Sequence, residues 1–161
     1  MRGLWTAARS LIYMTAFLGL WGWIALGVRR FDSALGLALP RAARPAGVVL
    51  MVLGGVLALV CVGTFVTLGR GTPAPFDPPT EVVARGPYKL VRNPMYIGGL
   101  SLLLGLGLSE RSGSIVLLAL LLSLFAHMGV VYLEEPDLEK RFGENYRSYK
   151  NAVNRWIPKR L

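Results

Sequence analysis

The chain has one cysteine and one histidine in 161 residues, and only nine acidic residues. The lone Cys61 excludes an internal disulfide, and Cys61 with His127 falls short of the four nitrogen or sulfur ligands that a structural zinc site takes. No metal site is therefore expected. The shortage of acid leaves 18 Lys and Arg unbalanced, for a net charge of +9. A basic chain invites a nucleic-acid reading, but 53% hydrophobic residues and a mean hydropathy of +0.49 do not describe a soluble binder, so no nucleic-acid partner is expected. Repetition is missing as well. The 19 Gly and 10 Pro follow no period, which excludes collagen-like and low-complexity chains. At this length one domain is expected.

What the chain has in abundance is uncharged apolar sequence. Residues 10–28, 46–68, 94–108 and 114–133 contain no charged side chain. Trp5 and Trp23 lie about 27 Å apart on a helix, close to the thickness of a bilayer core, and suit interfacial anchors. The run 94–108 makes only about 22 Å of helix and crosses a bilayer only with tilt or thinning. A polar turn at 109–113 joins it to the last run as an antiparallel hairpin. The first run is followed by Arg29-Arg30 rather than by a small-residue cleavage site, so it reads as a retained helix. These patterns predict an all-α integral membrane bundle of about four transmembrane helices with a helical cap at the C-terminus.

Charge then assigns sides. With four spans, the N-terminus, residues 69–93 and the C-terminal tail share one face, which holds thirteen of the Lys and Arg against five on the other. This places both termini in the cytoplasm, at the cytoplasmic membrane. Residues 69–93 carry five prolines and predict a stiff extended loop, with a small hairpin around Gly86-Pro87. The tail predicts a short helix ended by Gly143. A second follows from Glu144, with Tyr146, Tyr149, Val153 and Trp156 on one face, as a basic amphipathic segment suited to a membrane surface.

Three constellations could carry chemistry. In Arg92-Asn93-Pro94-Met95-Tyr96, Asn is a favoured N-cap and Pro a favoured first helical residue, so a helix starts here. It is either a plain helix start with a snorkelling arginine or a site for a carboxylate or phosphate. Glu134 and Glu135 stand where the last run ends. Either they are solvated, or they raise each other's affinity for a proton and attract a cation. His127 lies seven residues before Glu134 on the same helix face. It is either a hydrogen-bonded interhelix residue or a functional intramembrane group. The pairs Gly54-x-x-x-Ala58 and Ser101-x-x-x-Gly105 predict close helix packing.

In order along the chain stand Thr72-Pro73-Ala74-Pro75-Phe76-Asp77-Pro78-Pro79, Arg85-Gly86-Pro87-Tyr88 and Arg92-Asn93-Pro94-Met95-Tyr96-x-Gly98. A hydrophobic hairpin follows, then Glu134-Glu135, Phe142-Gly143-x-x-Tyr146-x-x-Tyr149 and Arg155-x-x-Pro158. This ordered set resembles the isoprenylcysteine carboxyl methyltransferase and phospholipid methyltransferase superfamily of integral membrane enzymes, over residues 69–158. The resemblance implies S-adenosylmethionine as methyl donor, bound on the cytosolic face between the last helices and the tail. By position it implies that Arg92, Asn93 and Tyr96 belong to the donor-site motif and Glu134 and Glu135 to its acidic counterpart. Tyr88, Lys89, Tyr146 and Tyr149 lie in the segments around the pocket. Arg92, Glu135 and His127 are the candidates for catalysis.

Eukaryotic prenylcysteine enzymes of this superfamily have His where this chain has Asn93, so no imidazole base is carried over to that position. The implied acceptor is lipophilic or membrane-borne: an isoprenylcysteine carboxylate, a phospholipid amine or a small thiol, with membrane lipid as surroundings. Two other readings stand beside this one, a sterol-reductase-like NADPH enzyme and a non-enzymatic tetraspan protein. The sequence does not set the oligomeric state.

Overall fold

The computed structural model describes residues 2–68 and 81–159; the Thr72–Pro79 motif and four of the five loop prolines lie outside them. The described residues form helices and turns, with no strand among them. Helix α1 spans Arg2–Val28, and a 3-10 turn at Arg29–Phe31 leads into the short α2, Asp32–Leu35. Helix α3 is Ala43–Leu68, α4 is Pro94–Ser109 and α5 is Gly113–Gly129. The tail adds α6, Glu135–Phe142, and α7, Glu144–Ala152. Three helical stretches are long and apolar enough to cross a membrane: Leu11–Leu35, Ala43–Phe65 and Gly113–Phe142. Helix α4, at 16 residues, is shorter. The molecule is an integral membrane helical bundle.

Helices α3 and α4 run antiparallel in backbone contact because small residues line both. A Cβ added to Gly54 would lie 2.7 Å from the Gly98 carbonyl oxygen, and one added to Gly98 2.9 Å from that of Gly54. Gly105 meets Gly47 and Met51 in the same way, so the expected small-residue contact is present and extends over three turns. Ala25 of α1, Leu103 of α4 and Ile115 and Ala119 of α5 make one buried cluster. The outward faces carry exposed Leu53, Val56, Leu120 and Phe125, as a helix surface in lipid requires.

The end of the bundle away from the tail is tied by polar contacts. Ser112 caps α5, accepting from the Ile115 amide at 3.2 Å. Asp32 accepts from the Ser114 amide at 2.9 Å, and Arg29 pairs with Glu110 at 2.5 Å. The expected hairpin of α4 and α5 is thereby closed.

At the other end two expectations change. The last apolar run and the short tail helix, expected as separate elements, are continuous. The helix passes through a π-turn at Val130–Glu134 into α6. Proline has no N–H to donate and its ring crowds the carbonyl of Tyr132, and the wider turn just before it takes up that misfit. Gly86-Pro87 forms a 3-10 turn over Gly86–Lys89 rather than a hairpin, since Pro87 preorganises the first turn residue. Gly143, at φ +54°, makes the break between α6 and α7 that an L side chain would resist.

Candidate active site

The tail folds back onto the foot of α4. After α7 the backbone becomes extended at Val153, so Val153 and Trp156 leave the helix face on which the spacing had put them with Tyr146 and Tyr149. Extended residues can pair with the backbone beside them, and these do. The Arg92 amide donates to the Asn154 carbonyl at 2.9 Å and the Asn93 amide to the Arg155 carbonyl at 3.3 Å. The Asn93 side chain also turns to the Arg155 carbonyl, at 3.4 Å, so Asn93 occupies the N-cap position without capping through its side chain.

This return brings Arg155 onto Glu135. The guanidinium Nε and Nη2 donate to the two carboxylate oxygens at 2.7 and 2.9 Å, a bidentate fork. Those bonds raise the Arg155 pKa above its usual value. Lys150 stands 3.9 Å from the same carboxylate and 3.3 Å from Glu139, which also receives Arg147 at 2.7 Å. Arg92 approaches Glu135 from the other side, Nη1 to Oε1 at 3.1 Å, as an ion pair without hydrogen-bond alignment. Its Nε and Nη1 are buried and have no hydrogen-bond acceptor. With the Arg92 side chain 8% exposed, this is a desolvated cation with donors to spare.

The tyrosines hold the cluster together. Tyr149 donates its hydroxyl to the Tyr88 carbonyl at 2.7 Å, and the Tyr88 ring packs edge-on against Phe65 of α3 beside Cys61. Burial raises the pKa values of Tyr88 and Tyr149. It also raises that of Tyr146, with the Glu135 charge adding to the effect. Lys89 is exposed at the end of the 3-10 turn, and no hydrogen bond or ion pair links it to the cluster among the described residues.

Glu134 and Glu135 do not act as a pair. Adjacent helical residues point about 100° apart. Glu135 turns inward to the cations, while Glu134 accepts the Tyr96 hydroxyl. The Tyr96 ring meets the Trp156 ring edge-on, with centroids 6.3 Å apart. Trp156 Nε1 donates to His127 Nδ1 at 2.9 Å. A second, more exposed cluster of Tyr96, Glu134, His127 and Trp156 thus adjoins the first. Arg155 and Trp156 were not singled out as site residues from the sequence. The Arg155-x-x-Pro158 motif was the available signal, and only the backbone reversal at Val153 gives it meaning.

An open cleft of about 430 Å³ lies between α6 and α7, bounded by Val131, Glu135, Glu139, Arg147, Lys150 and Arg155. That is within the range of small-molecule sites.

Comparison with known proteins places the chain. A methanethiol S-methyltransferase of Pseudomonas sp. (strain GM41(2012)) is 37% identical over 73 residues, which is 45% of this chain and 27% of that protein. The chain thus spans about a quarter of that relative's length. No solved structure matches it. The phospholipid methyltransferase family matches residues 43–145, from the start of α3 through α4, α5 and α6 into α7. The family resemblance read from the motifs is borne out, and the chain belongs to the phospholipid methyltransferase family.

Proposed function

We propose that this chain is a membrane methyltransferase that takes its methyl group from S-adenosylmethionine and passes it to a lipophilic thiol. The observation that carries the donor is Arg92. Two of its buried guanidinium nitrogens, Nε and Nη1, have no acceptor, and an anionic acceptor such as the methyl donor's carboxylate would satisfy such N–H groups. When bound, S-adenosylmethionine supplies an electrophilic methyl on a sulfonium, and in-line transfer from it needs alignment and electrostatics more than acid or base.

The chain's own groups then divide the work. Arg92 binds the donor carboxylate, while Arg155 and Lys150 hold Glu135. Glu134, on the more exposed side, attracts the cationic part of the donor. Tyr96 and Trp156 shield the reacting face from water. Leu90, Tyr132, Leu133 and Ile157 are exposed and close to these residues in the chain, and they receive an acceptor arriving from the lipid. In this arrangement α4 is the fourth span, and its foot, the tail and both termini are cytoplasmic.

The acceptor follows from the state of the candidate bases. Glu135 is held by Arg155 with Arg92 and Lys150 nearby, Glu134 accepts from Tyr96, and His127 Nδ1 accepts from Trp156. A protonated lipid amine must shed a proton before it attacks; a thiol gives its proton to bulk water and attacks through its minor thiolate fraction, a strong enough nucleophile to need no protein base. The relative's printed activity on methanethiol favours the thiol.

The test incubates the purified protein in nanodiscs with radiolabelled S-adenosylmethionine and, separately, alkyl thiols, prenylcysteine and phosphatidylethanolamine. Labelled thioether is expected. Labelled phosphatidylethanolamine would overturn the acceptor assignment, and calorimetry showing NADPH but no S-adenosylmethionine binding would overturn the donor.

A further inference from the structure

Glu135 lies between two guanidinium groups that it does not treat alike. Arg155 takes both of its oxygens in a fork, at 2.7 and 2.9 Å. Arg92 receives only the 3.1 Å unaligned contact with Oε1 and keeps Nε and Nη1 without an acceptor. The Glu135 and Arg92 side chains are 5% and 8% exposed, so water satisfies little of either, and Arg155, at 27%, reaches in from the rim. A buried carboxylate with an unforked arginine beside it would ordinarily turn to satisfy it, because a buried unpaired donor is costly.

We infer that Arg155 is a positioning residue which, by holding both oxygens of Glu135, keeps Nε and Nη1 of the buried Arg92 guanidinium without a hydrogen-bond acceptor and reserved for the carboxylate of an incoming ligand. This deepens the proposed function and rests on it for the ligand. Arg155 need not touch the ligand. Its position depends on the extended segment after α7, where the Arg155 carbonyl receives the Asn93 amide and side chain. The tail is thereby tied to the foot of α4 through backbone hydrogen bonds and to Glu135 through an ion pair. Without Arg155, Glu135 is free to rotate onto Arg92 and cap it from within.

A coupling experiment separates this from a merely structural clamp. Wild type, Arg155→Ala, Arg155→Lys, and each of these combined with Glu135→Gln are purified in nanodiscs. S-adenosylmethionine affinity is measured by calorimetry, and thermal unfolding checks the fold. Arg155→Ala is expected to weaken binding roughly tenfold, the scale of one charge-assisted hydrogen bond. Arg155→Lys, which cannot fork both oxygens, falls between it and wild type. Adding Glu135→Gln removes the competing negative charge and is expected to restore most of the affinity lost in either Arg155 variant.

A clamp would give the opposite sign, with each double variant binding as weakly as its Arg155 parent or more weakly, and that result would overturn the inference. Should Arg155→Ala not fold, the Arg155→Lys pair gives the same sign test. Wild-type protein that binds no donor overturns the proposed function and this inference together. Wild-type binding with unrecovered double variants overturns this inference alone.

Discussion

Trp156 donates its indole N–H to Nδ1 of His127 across 2.9 Å, joining the tail to the last apolar helix. An indole nitrogen can only donate, so the neutral imidazole carries its proton on Nε2. The atom of His127 best placed to take a proton is therefore already occupied, and the ring offers a donor instead. This chain has one histidine, which makes the consequence directly measurable.

Long-range ¹⁵N–¹H correlation spectra of protein free of a histidine tag should show, for the neutral form of the ring, Nδ1 unprotonated and the proton on Nε2. Trp156→Phe should release that nitrogen and give a mixture of tautomers. A protonated Nδ1 in the neutral ring of the wild type would break the assignment.

Arg92→Ala should weaken S-adenosylmethionine binding by roughly ten- to a hundredfold, the scale of losing charge-assisted hydrogen bonds to a carboxylate. Arg92→Lys should recover only part of it, since a single ammonium cannot place donors at both the Nε and the Nη1 positions. Calorimetry on the folded variants reads both, and unchanged affinity in Arg92→Ala would remove Arg92 from the donor site.

Glu135→Ala leaves Arg92 and Arg155 facing each other without their shared counter-charge. Breaking a buried ion pair from one side costs about 3–5 kcal/mol, reduced here because Arg155 reaches solvent. Thermal unfolding should show a larger loss for Glu135→Ala than for Glu135→Gln, which keeps a hydrogen-bonding group in the same volume. Equal losses would mean that packing, not polarity, is what Glu135 supplies.

Gly98→Val should separate α3 from α4. Its Cβ would meet the Gly54 carbonyl oxygen at 2.9 Å and the Ala58 amide at 3.0 Å, backbone atoms that cannot swing aside. Overpacking of this kind costs about 1–3 kcal/mol. Gly99→Val, where nothing lies within 4 Å of the added carbon, should unfold close to wild type.

Alkaline titration should report on three tyrosines. Tyr88, Tyr146 and Tyr149 have pKa values raised by burial, so the folded protein holds their protons more tightly than the unfolded chain does. An unfolded tyrosine ionises near about pH 10. The stability these phenols contribute is thus complete below that pH and falls as pH rises through the higher folded values. Phenolate absorbance from these three should appear only above about pH 10, together with loss of helical signal. Their ionisation at about pH 10 with the fold intact would contradict their burial.

What the sequence determined by itself was whatever depends on local pattern. Uncharged runs marked the long apolar helices, because a membrane core excludes charge over a length that one helix spans. Pro94 and Gly143 marked a helix start and a helix break, because each acts on its own backbone. The ordered motifs identified the family. Only the tertiary structure decided which residues meet.

Glu134 and Glu135 are neighbours in sequence, yet the helix sends one to Tyr96 and the other to Arg155, twenty residues away. Val153 and Trp156 carry a helical spacing that the extended backbone after α7 does not obey. Trp156 reaches His127 only because that segment pairs with residues 92 and 93. The freedom of Arg92, on which the donor reading rests, is a competition among three side chains for two oxygen atoms. No local pattern records such a competition, because it is settled by distances that exist only once the tail has folded back.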